Sequence, residues 1–168
     1  MEDKRIKDFF ELAKKSGRIR DVKEAFVEYP VEKEWHKGKI ENIFQLNEDN
    51  EEYCIYEIGD IVFVSDYRYD NGAKGKNHLF VIIEQNNLAV PIENFGMLIS
   101  SNLEKLKYKS NKLINKDNKN RLNKDSIVKT DVIYKISNEQ ILFKIGEVNL
   151  DKVKEYKQSF YEQIIEND

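Results

Sequence analysis

Residues 59–94 carry the strongest β-strand signal in the chain and set the kind of fold that it can adopt. The run at 79–83 is continuously apolar and rich in β-branched side chains, which is typical of a central strand buried on both faces. Asp70-Asn71-Gly72 and Asn86-Asn87 are turn signals, and Gly75 lengthens the first loop. We therefore predict a core sheet of three strands, at 61–64, 79–83 and 88–92.

Length and composition favour a single folded domain with an appendage. The chain has 168 residues and 40% hydrophobic side chains, enough for a core of its own. Cys54 is the only cysteine, so neither an intrachain disulfide nor a cysteine metal cluster is expected. No apolar run approaches the roughly 18 residues of a membrane span, and the charged start from Glu2 lacks a signal-peptide core. These features predict a cytoplasmic protein.

The region before the core sheet reads as helical. Apolar residues recur at helical spacing within 3–16, and Gly17 ends that helix. Further helices are predicted at 22–28 and 31–44, followed by a polar linker at 47–52. We therefore divide the chain into an N-terminal helical extension, residues 1–52, and a barrel domain, residues 53–168.

The region after the core sheet alternates short elements with polar segments. Residues 95–101 continue apolar before turning polar, and 103–108 read as a short helix or strand. Residues 111–123 are loop-like, 126–135 read as a strand or as a short helix and a strand, and 141–148 as the last strand. Asn149 or Asp151 caps a final helix, which has Val153, Tyr156, Phe160 and Ile164 on one face. The predicted fold class is α+β: a small, mostly antiparallel β-barrel with an N-terminal helical extension and a C-terminal helix.

A block of positive charge interrupts an otherwise acidic protein. The whole chain has a net charge of −3, but residues 103–135 hold ten basic and four acidic side chains, a net charge of +6. A charge run is most often only a solvated face, yet a local excess of this kind also marks nucleic-acid contact. Lys and Arg neutralise phosphates and Tyr stacks on unpaired bases, and without a recognition-helix pattern RNA fits better than duplex DNA. The candidate RNA-binding residues are Lys74, Ser100, Lys105, Lys107, Tyr108, Lys109, Lys112, Lys116, Lys119, Arg121 and Lys124.

Several segments, in their order and spacing, resemble the MazF/PemK/Kid toxin family. They are the GDIVFV and HLFVII runs with Val90-Pro91-Ile92, the segment LNKDSIV at 122–128, IGEV at 145–148, and the helix around Val153. The resemblance covers about residues 57–165. It implies a small β-barrel and a ribosome-independent, metal-free endoribonuclease that acts on mRNA and is paired with an antitoxin. The segment KGKNHLFVII and the helical leader are most similar to the CptN branch, a type III system, which implies a structured RNA as antitoxin.

The chain departs from the pattern of this family at two positions. The usual G-x-R-P segment is Gly75-Lys76-Asn77-His78 here, so Asn77 replaces the arginine. The usual P-I-T segment is Pro91-Ile92-Glu93, so Glu93 replaces the threonine. Either the protein is inactive or neighbouring groups have taken over the chemistry.

RNA cleavage without a metal needs a base, an acid and a group that stabilises the phosphorane. His78 is the natural acid or base, because its unperturbed pKa is about 6.5, although a histidine at a strand start is often only structural. Glu93 is a candidate base if His78 is the acid. Lys74 and Lys76 can supply positive charge, while Asn77, Ser100 and Ser101 can donate hydrogen bonds. The candidate catalytic residues are His78, Lys76, Asn77, Glu93 and Ser101, with no cofactor and no metal ion, since two histidines without a cysteine cluster make a zinc site improbable.

Three functions remain open from the sequence. The first is an endoribonuclease toxin that leaves a 2′,3′-cyclic phosphate and is neutralised by an antitoxin, expected to be a repeat-derived structured RNA. The second is a non-catalytic RNA-binding module, favoured by the replaced arginine and threonine. The third is a protein-interaction toxin of the CcdB type. Self-association, through the RNA or as a dimer, is compatible with each of them.

Overall fold

The structure is a computed structural model that describes residues 4–22, 56–65, 77–89 and 92–166. The helices are α1 (Lys4–Lys15) and α2 (Leu150–Glu166), and short 3₁₀ helices span Leu103–Lys107 and Asn138–Gln140. The strands are β1 (Ile19–Asp21), β2 (Asp60–Ser65), β3 (Asn77–Asn86), β4 (Glu93–Ser100), β5 (Asn111–Ile114), β6 (Ser126–Lys129), β7 (Ile133–Ser137) and β8 (Ile141–Glu147).

The strands form one sheet that divides at β4. β3 pairs antiparallel with β2 and β4, and β2 also pairs with β8. The first half of β4 pairs with β7, whereas Ile99 and Ser100 at its end pair with β6, which pairs in turn with β5. β1 joins β7 in parallel. The predicted α+β class with a mostly antiparallel sheet and a C-terminal helix is confirmed.

β3 is central because both of its faces are apolar. Every side chain from Leu79 to Ile83 is at most 2% exposed. Leu79, Val81 and Ile83 point into a first core, which also contains residues of α1 and α2. Phe80 and Ile82 point into a second core on the other face. The alternation follows from the two-residue period of a strand and confirms the predicted central strand.

Helices α1 and α2 pack against each other over the first core. The Asn149 side chain accepts a hydrogen bond from the Lys152 amide (2.9 Å) and caps α2, as predicted. Val153, Tyr156, Phe160 and Ile164 are all buried, which confirms the predicted face. Phe9 of α1 lies 6.0 Å from Phe160, ring centre to ring centre. The helix predicted at 3–16 is therefore confirmed, while the division into 1–52 and 53–168 stays a prediction.

The Gly-Asp pair at the start of β2 joins three elements. The Gly59 amide donates to the Ile82 carbonyl (2.7 Å), and its carbonyl accepts from the Val148 amide (2.8 Å). Its φ of +99° is a conformation that favours glycine. Asp60 is buried and forms an ion pair with Lys144 of β8 (3.1 Å). Burial lowers the pKa of Lys144, but the hydrogen bonds and charges of Asp60 and Glu147 together raise it more, so the pKa is raised overall.

Two predicted elements are wrong. The strand predicted at 88–92 is displaced, because Leu88 lies in the turn after β3, 72% exposed, and β4 begins only at Glu93. The loop predicted at 111–123 is confirmed for 115–123, but residues 111–114 form β5, an Asn- and Lys-bearing strand whose ladder with β6 supplies the order that its composition does not suggest. The predicted elements at 31–44, 47–52 and 70–72, and residues 23–28 of the second helix, lie outside the described residues. None of the described helices is long and apolar enough to span a membrane.

Candidate functional site

The start of β3 and the end of β4 bring His78 and Ser100 side by side. The register pairs Leu79 with Ile99, so one residue further on His78 lies opposite Ser100. Opposed residues of an antiparallel pair have Cβ atoms about 4.5–5.5 Å apart. The neighbouring residues Leu79 and Ile99 point into the first core. Because successive side chains of a strand point to opposite faces, His78 and Ser100 lie on the face of the second core. His78 is also opposite Val64 of β2.

The imidazole of His78 is packed rather than open to solvent. The residue is 7% exposed, and its ring meets the Phe80 ring at 80° with centres 6.3 Å apart. These contacts restrict the orientation of the ring.

Ser100 lies at the point where β4 passes into a 3₁₀ helix. Its hydroxyl oxygen accepts a hydrogen bond from the Asn102 amide (3.2 Å). The Asn102 side chain in turn accepts from the Glu104 amide (3.2 Å) and caps the helix Leu103–Lys107. This arrangement holds the oxygen of Ser100 and leaves its proton able to point towards a phosphate. Sequence reasoning missed Asn102, although an asparagine before a short helix is a typical N-cap.

Positive charge and an aromatic ring follow directly after this site, in the near basic segment, residues 103–109. Tyr108 is 55% exposed, and the Nζ atom of Lys107 lies 5.3 Å from the centre of its ring. The segment starts three residues after Ser100 and leads back to β5, where Asn111 pairs with Lys129. The structure thus places Lys105 and Lys107 in the 3₁₀ helix that follows Ser100, and Tyr108 and Lys109 in the turn to β5.

The rest of the predicted basic block lies on the loop between β5 and β6, which leaves the sheet beside the end of β4 and covers the face of the first core. Residues 115–125, here called the lysine loop, cross the end of β8, where the Lys119 carbonyl accepts from the Glu147 amide (3.0 Å). Leu122 of this loop enters the first core, on the opposite face from His78. Gly146 beneath the loop pairs with Ile61, three residues before Val64, so the two places are roughly 10 Å apart along the strands. Lys112 lies between the two surfaces, on β5.

Glu93 lies far from His78. It is opposite Asn86 at the other end of the β3–β4 pair, eight residues from His78 along β3 and therefore roughly 25 Å away. Its carboxylate contacts Lys135 (3.6 Å) and accepts from the Asn86 side chain (3.4 Å). This placement corrects the expected pairing of Glu93 with His78 as base and acid, because a concerted proton transfer needs both groups at one phosphate.

The remaining candidates are placed as follows. Asn77 is the first residue of β3, and Ser101 is half-buried directly after Ser100. Lys74 and Lys76 lie outside the described residues. Within 4–22, 56–65, 77–89 and 92–166, no three His, Cys, Asp or Glu side chains are grouped so that they could hold a metal ion.

A comparison with protein-family models matches residues 57–164 to the family described as "PemK-like, MazF-like toxin of type II toxin-antitoxin system". The match runs from the turn before β2 to the last turn of α2. It includes His78, Ser100, the near basic segment and the lysine loop, and it leaves α1 and β1 outside. No curated protein matches the chain.

Proposed function

Because this chain belongs to the family of PemK-like, MazF-like toxins of type II toxin–antitoxin systems, we propose that it is a sequence-preferring endoribonuclease that cuts single-stranded RNA, mRNA included. Toxins of this family are generally endoribonucleases. The observation that carries the proposal is the β3–β4 register, which pairs Leu79 with Ile99 and so sets the next residues, His78 and Ser100, beside each other where the near basic segment begins. An imidazole, a hydroxyl and several ammonium groups are the functional groups that metal-free RNA cleavage uses.

The proposed reaction is an internal transfer of the phosphodiester. The 2′-oxygen forms a bond to the adjacent phosphorus while the bond from phosphorus to the 5′-oxygen breaks. The 2′-proton passes to a base, and the 5′-oxygen receives a proton from an acid, so the products are a 2′,3′-cyclic phosphate and a 5′-hydroxyl. We assign one of these proton transfers to His78. Ser100 and Ser101 donate to the non-bridging oxygens, Lys74 and Lys76 supply positive charge, and Asn77 donates a further hydrogen bond.

The partners follow from the family and from the charge of the chain. Membership of the family implies an antitoxin that restrains the toxin. We propose, more narrowly, a CptN-like type III system in the cytoplasm, in which a structured RNA binds the basic surfaces and the free toxin arrests growth. The excess of positive charge in residues 103–135 supports an RNA partner. A short tandem repeat in the neighbouring DNA would support this antitoxin, and a small acidic reading frame would point to a protein instead.

Incubation of the purified protein with total RNA in EDTA tests the proposal, with cyclic-phosphate ends mapped by sequencing. Replacing His78 by alanine should lower the rate by about 10²–10⁴-fold, the usual contribution of a general acid or base. Lys76→Ala should also lose most of the activity. Glu93→Gln is the matched control and should cleave at the wild-type rate, because Glu93 lies at the far end of β3. Cleavage that is unchanged in His78→Ala would remove His78 from the mechanism.

The competing function is RNA binding without cleavage. Its support is the 7% exposure of His78, together with the replacement of the arginine and the threonine of the family pattern. In the same incubation this function predicts intact RNA and a salt-dependent complex with the protein. That outcome would replace the nuclease proposal.

A further inference from the structure

The lysine loop has its shape fixed by its own side chains. Asp117 accepts hydrogen bonds from the amides of Lys119 (2.8 Å) and Asn120 (2.7 Å). The Asn120 oxygen accepts from the amides of Asp117 and Leu122, both at 3.0 Å, while its nitrogen donates to the Asn115 carbonyl (2.8 Å). Asn120 is only 2% exposed. One buried amide thus organises a loop that is otherwise at the surface.

Two further contacts close the ends of the loop and attach it to the sheet. The Lys116 amide donates to the Asp125 side chain (2.9 Å) and closes the two ends of the loop. The Lys119 carbonyl is bound to the Glu147 amide over Gly146, where a side chain would not fit. Arg121 has a φ of 57°, a conformation uncommon for residues other than glycine, so the turn is specific. The backbone that carries the cations is therefore preorganised.

The chemistry of the loop surface is that of an anion-binding site. Lys116, Lys119, Arg121 and Lys124 are all exposed, whereas the carboxylates of Asp117 and Asp125 are occupied with backbone amides. Ammonium and guanidinium groups bind phosphates without reading the bases. Because the loop is already ordered, binding loses less conformational entropy than it would on a flexible lysine tract.

We infer that the lysine loop is a second RNA-binding surface, on the opposite face of the sheet from His78, and that it binds backbone phosphates of nucleotides flanking the one at His78. Asn120 and Asp117 are its positioning residues. The loop leaves the sheet beside the end of β4 and covers the first core, whereas His78 lies on the other face. A short RNA bound at His78 therefore stays on one face, while a longer one passes round the end of the sheet to the loop. The inference rests on the proposed function only in taking single-stranded RNA as the ligand.

The test compares two single-stranded RNAs of about 4 and 16 nucleotides, the range of site sizes known for single-strand-binding folds. Both carry 2′-O-methyl groups, so the protein binds without cutting them, and anisotropy measures affinity against salt. In Lys116→Ser/Lys119→Ser/Lys124→Ser, the slope of log affinity against log salt should fall by about 2 for the long RNA, since each lost contact contributes about 0.7. The slope for the short RNA should not change.

A matched variant separates the loop from bulk charge. Lys14→Ser/Lys15→Ser/Lys154→Ser removes three exposed lysines from α1 and α2 and should leave both slopes at the wild-type value. An equal fall in this control would overturn the inference, as would an unchanged long-RNA slope in the loop variant.

Asn120→Ala tests the positioning role, because it removes no charge and almost no exposed surface. It should weaken binding of the long RNA about tenfold, a difference of 1.4 kcal/mol, and leave the short RNA unaffected. If Asn120→Ala binds the long RNA as tightly as the wild type, the geometry of the loop does not contribute to RNA binding and the positioning role is refuted. Cleavage of an unmodified short RNA is scored separately, so failure of the nuclease proposal is distinguishable from failure of the second surface.

Discussion

Gly146→Ala is the sharpest test of how the lysine loop is seated on the sheet. A methyl group at this position would lie 2.6 Å from the Lys119 carbonyl oxygen and closer still to the carbonyl of Asn120. These obstacles are backbone atoms, which cannot rotate away as a flexible side chain would. The loop must therefore lift from β8, and the hydrogen bond from the Glu147 amide to the Lys119 carbonyl must lengthen or break.

The expected loss of stability follows from three effects. Overpacking costs about 1–3 kcal/mol, and the weakened hydrogen bond about 0.5–1.5 kcal/mol. Gly146 does not have a positive φ, so alanine is not strained there. Alanine also reduces the conformational entropy of the unfolded chain, which stabilises the folded state by about 0.4–1 kcal/mol. The net expectation is a loss of about 2 kcal/mol. For a chain of this size the corresponding fall in Tm is about 4–8 °C.

Thermal unfolding combined with amide exchange at Glu147 measures this effect. Gly17→Ala is the control, because a Cβ there meets nothing within 4 Å and only the positive φ of +69° opposes it. That variant should lose about 1–2 kcal/mol of folding stability. Hydrogen exchange of its Glu147 amide should be no faster than in the wild type. A Gly146→Ala protein with wild-type Tm and unchanged protection of the Glu147 amide would refute the proposed seating of the loop.

Two further predictions concern polar groups on the face of α2 that packs against the sheet. The Tyr156 hydroxyl is buried and has no hydrogen-bond partner among the described residues; burial, and then the charge of Glu155, raise its pKa. The folded state therefore keeps this proton when the unfolded chain loses it, so stability should fall as the pH rises above about 10. In urea unfolding, Tyr156→Phe should lose less stability than the wild type as the pH rises above about 10, and it should be as stable as the wild type at neutral pH. The same dependence of stability on alkaline pH in both proteins would contradict this. Lys157 pairs with the buried Glu84 (2.7 Å), so Lys157→Met should cost about 3 kcal/mol, because it leaves a buried charge uncompensated. In urea unfolding, the double variant Glu84→Met/Lys157→Met should recover most of the stability that Lys157→Met loses. A double variant that is less stable than Lys157→Met would exclude this explanation.

Strong local patterns made the central strand and the final helix predictable. The run at 79–83 is apolar at every position, so its burial on both faces could be read directly. The face of α2 follows helical spacing, and Asn149 is a recognisable cap. β4 and β5 were misplaced because their order depends on partners distant in sequence. A four-residue segment such as Asn111–Ile114, in which only two side chains are apolar, becomes a strand only when β6 lies beside it.

The candidate site shows the same dependence on partners. The sequence by itself identified the residue types that metal-free RNA cleavage would use, the excess of positive charge after residue 103, and the resemblance that the family match later supported. It could not determine which of these residues meet, because antiparallel register decides that Ser100 rather than Glu93 lies beside His78. The fold also divided one basic stretch into two surfaces, since Leu122 is drawn into the first core while residues 103–109 stay at the end of β4. Local chemistry is encoded residue by residue, but proximity arises only when the chain packs.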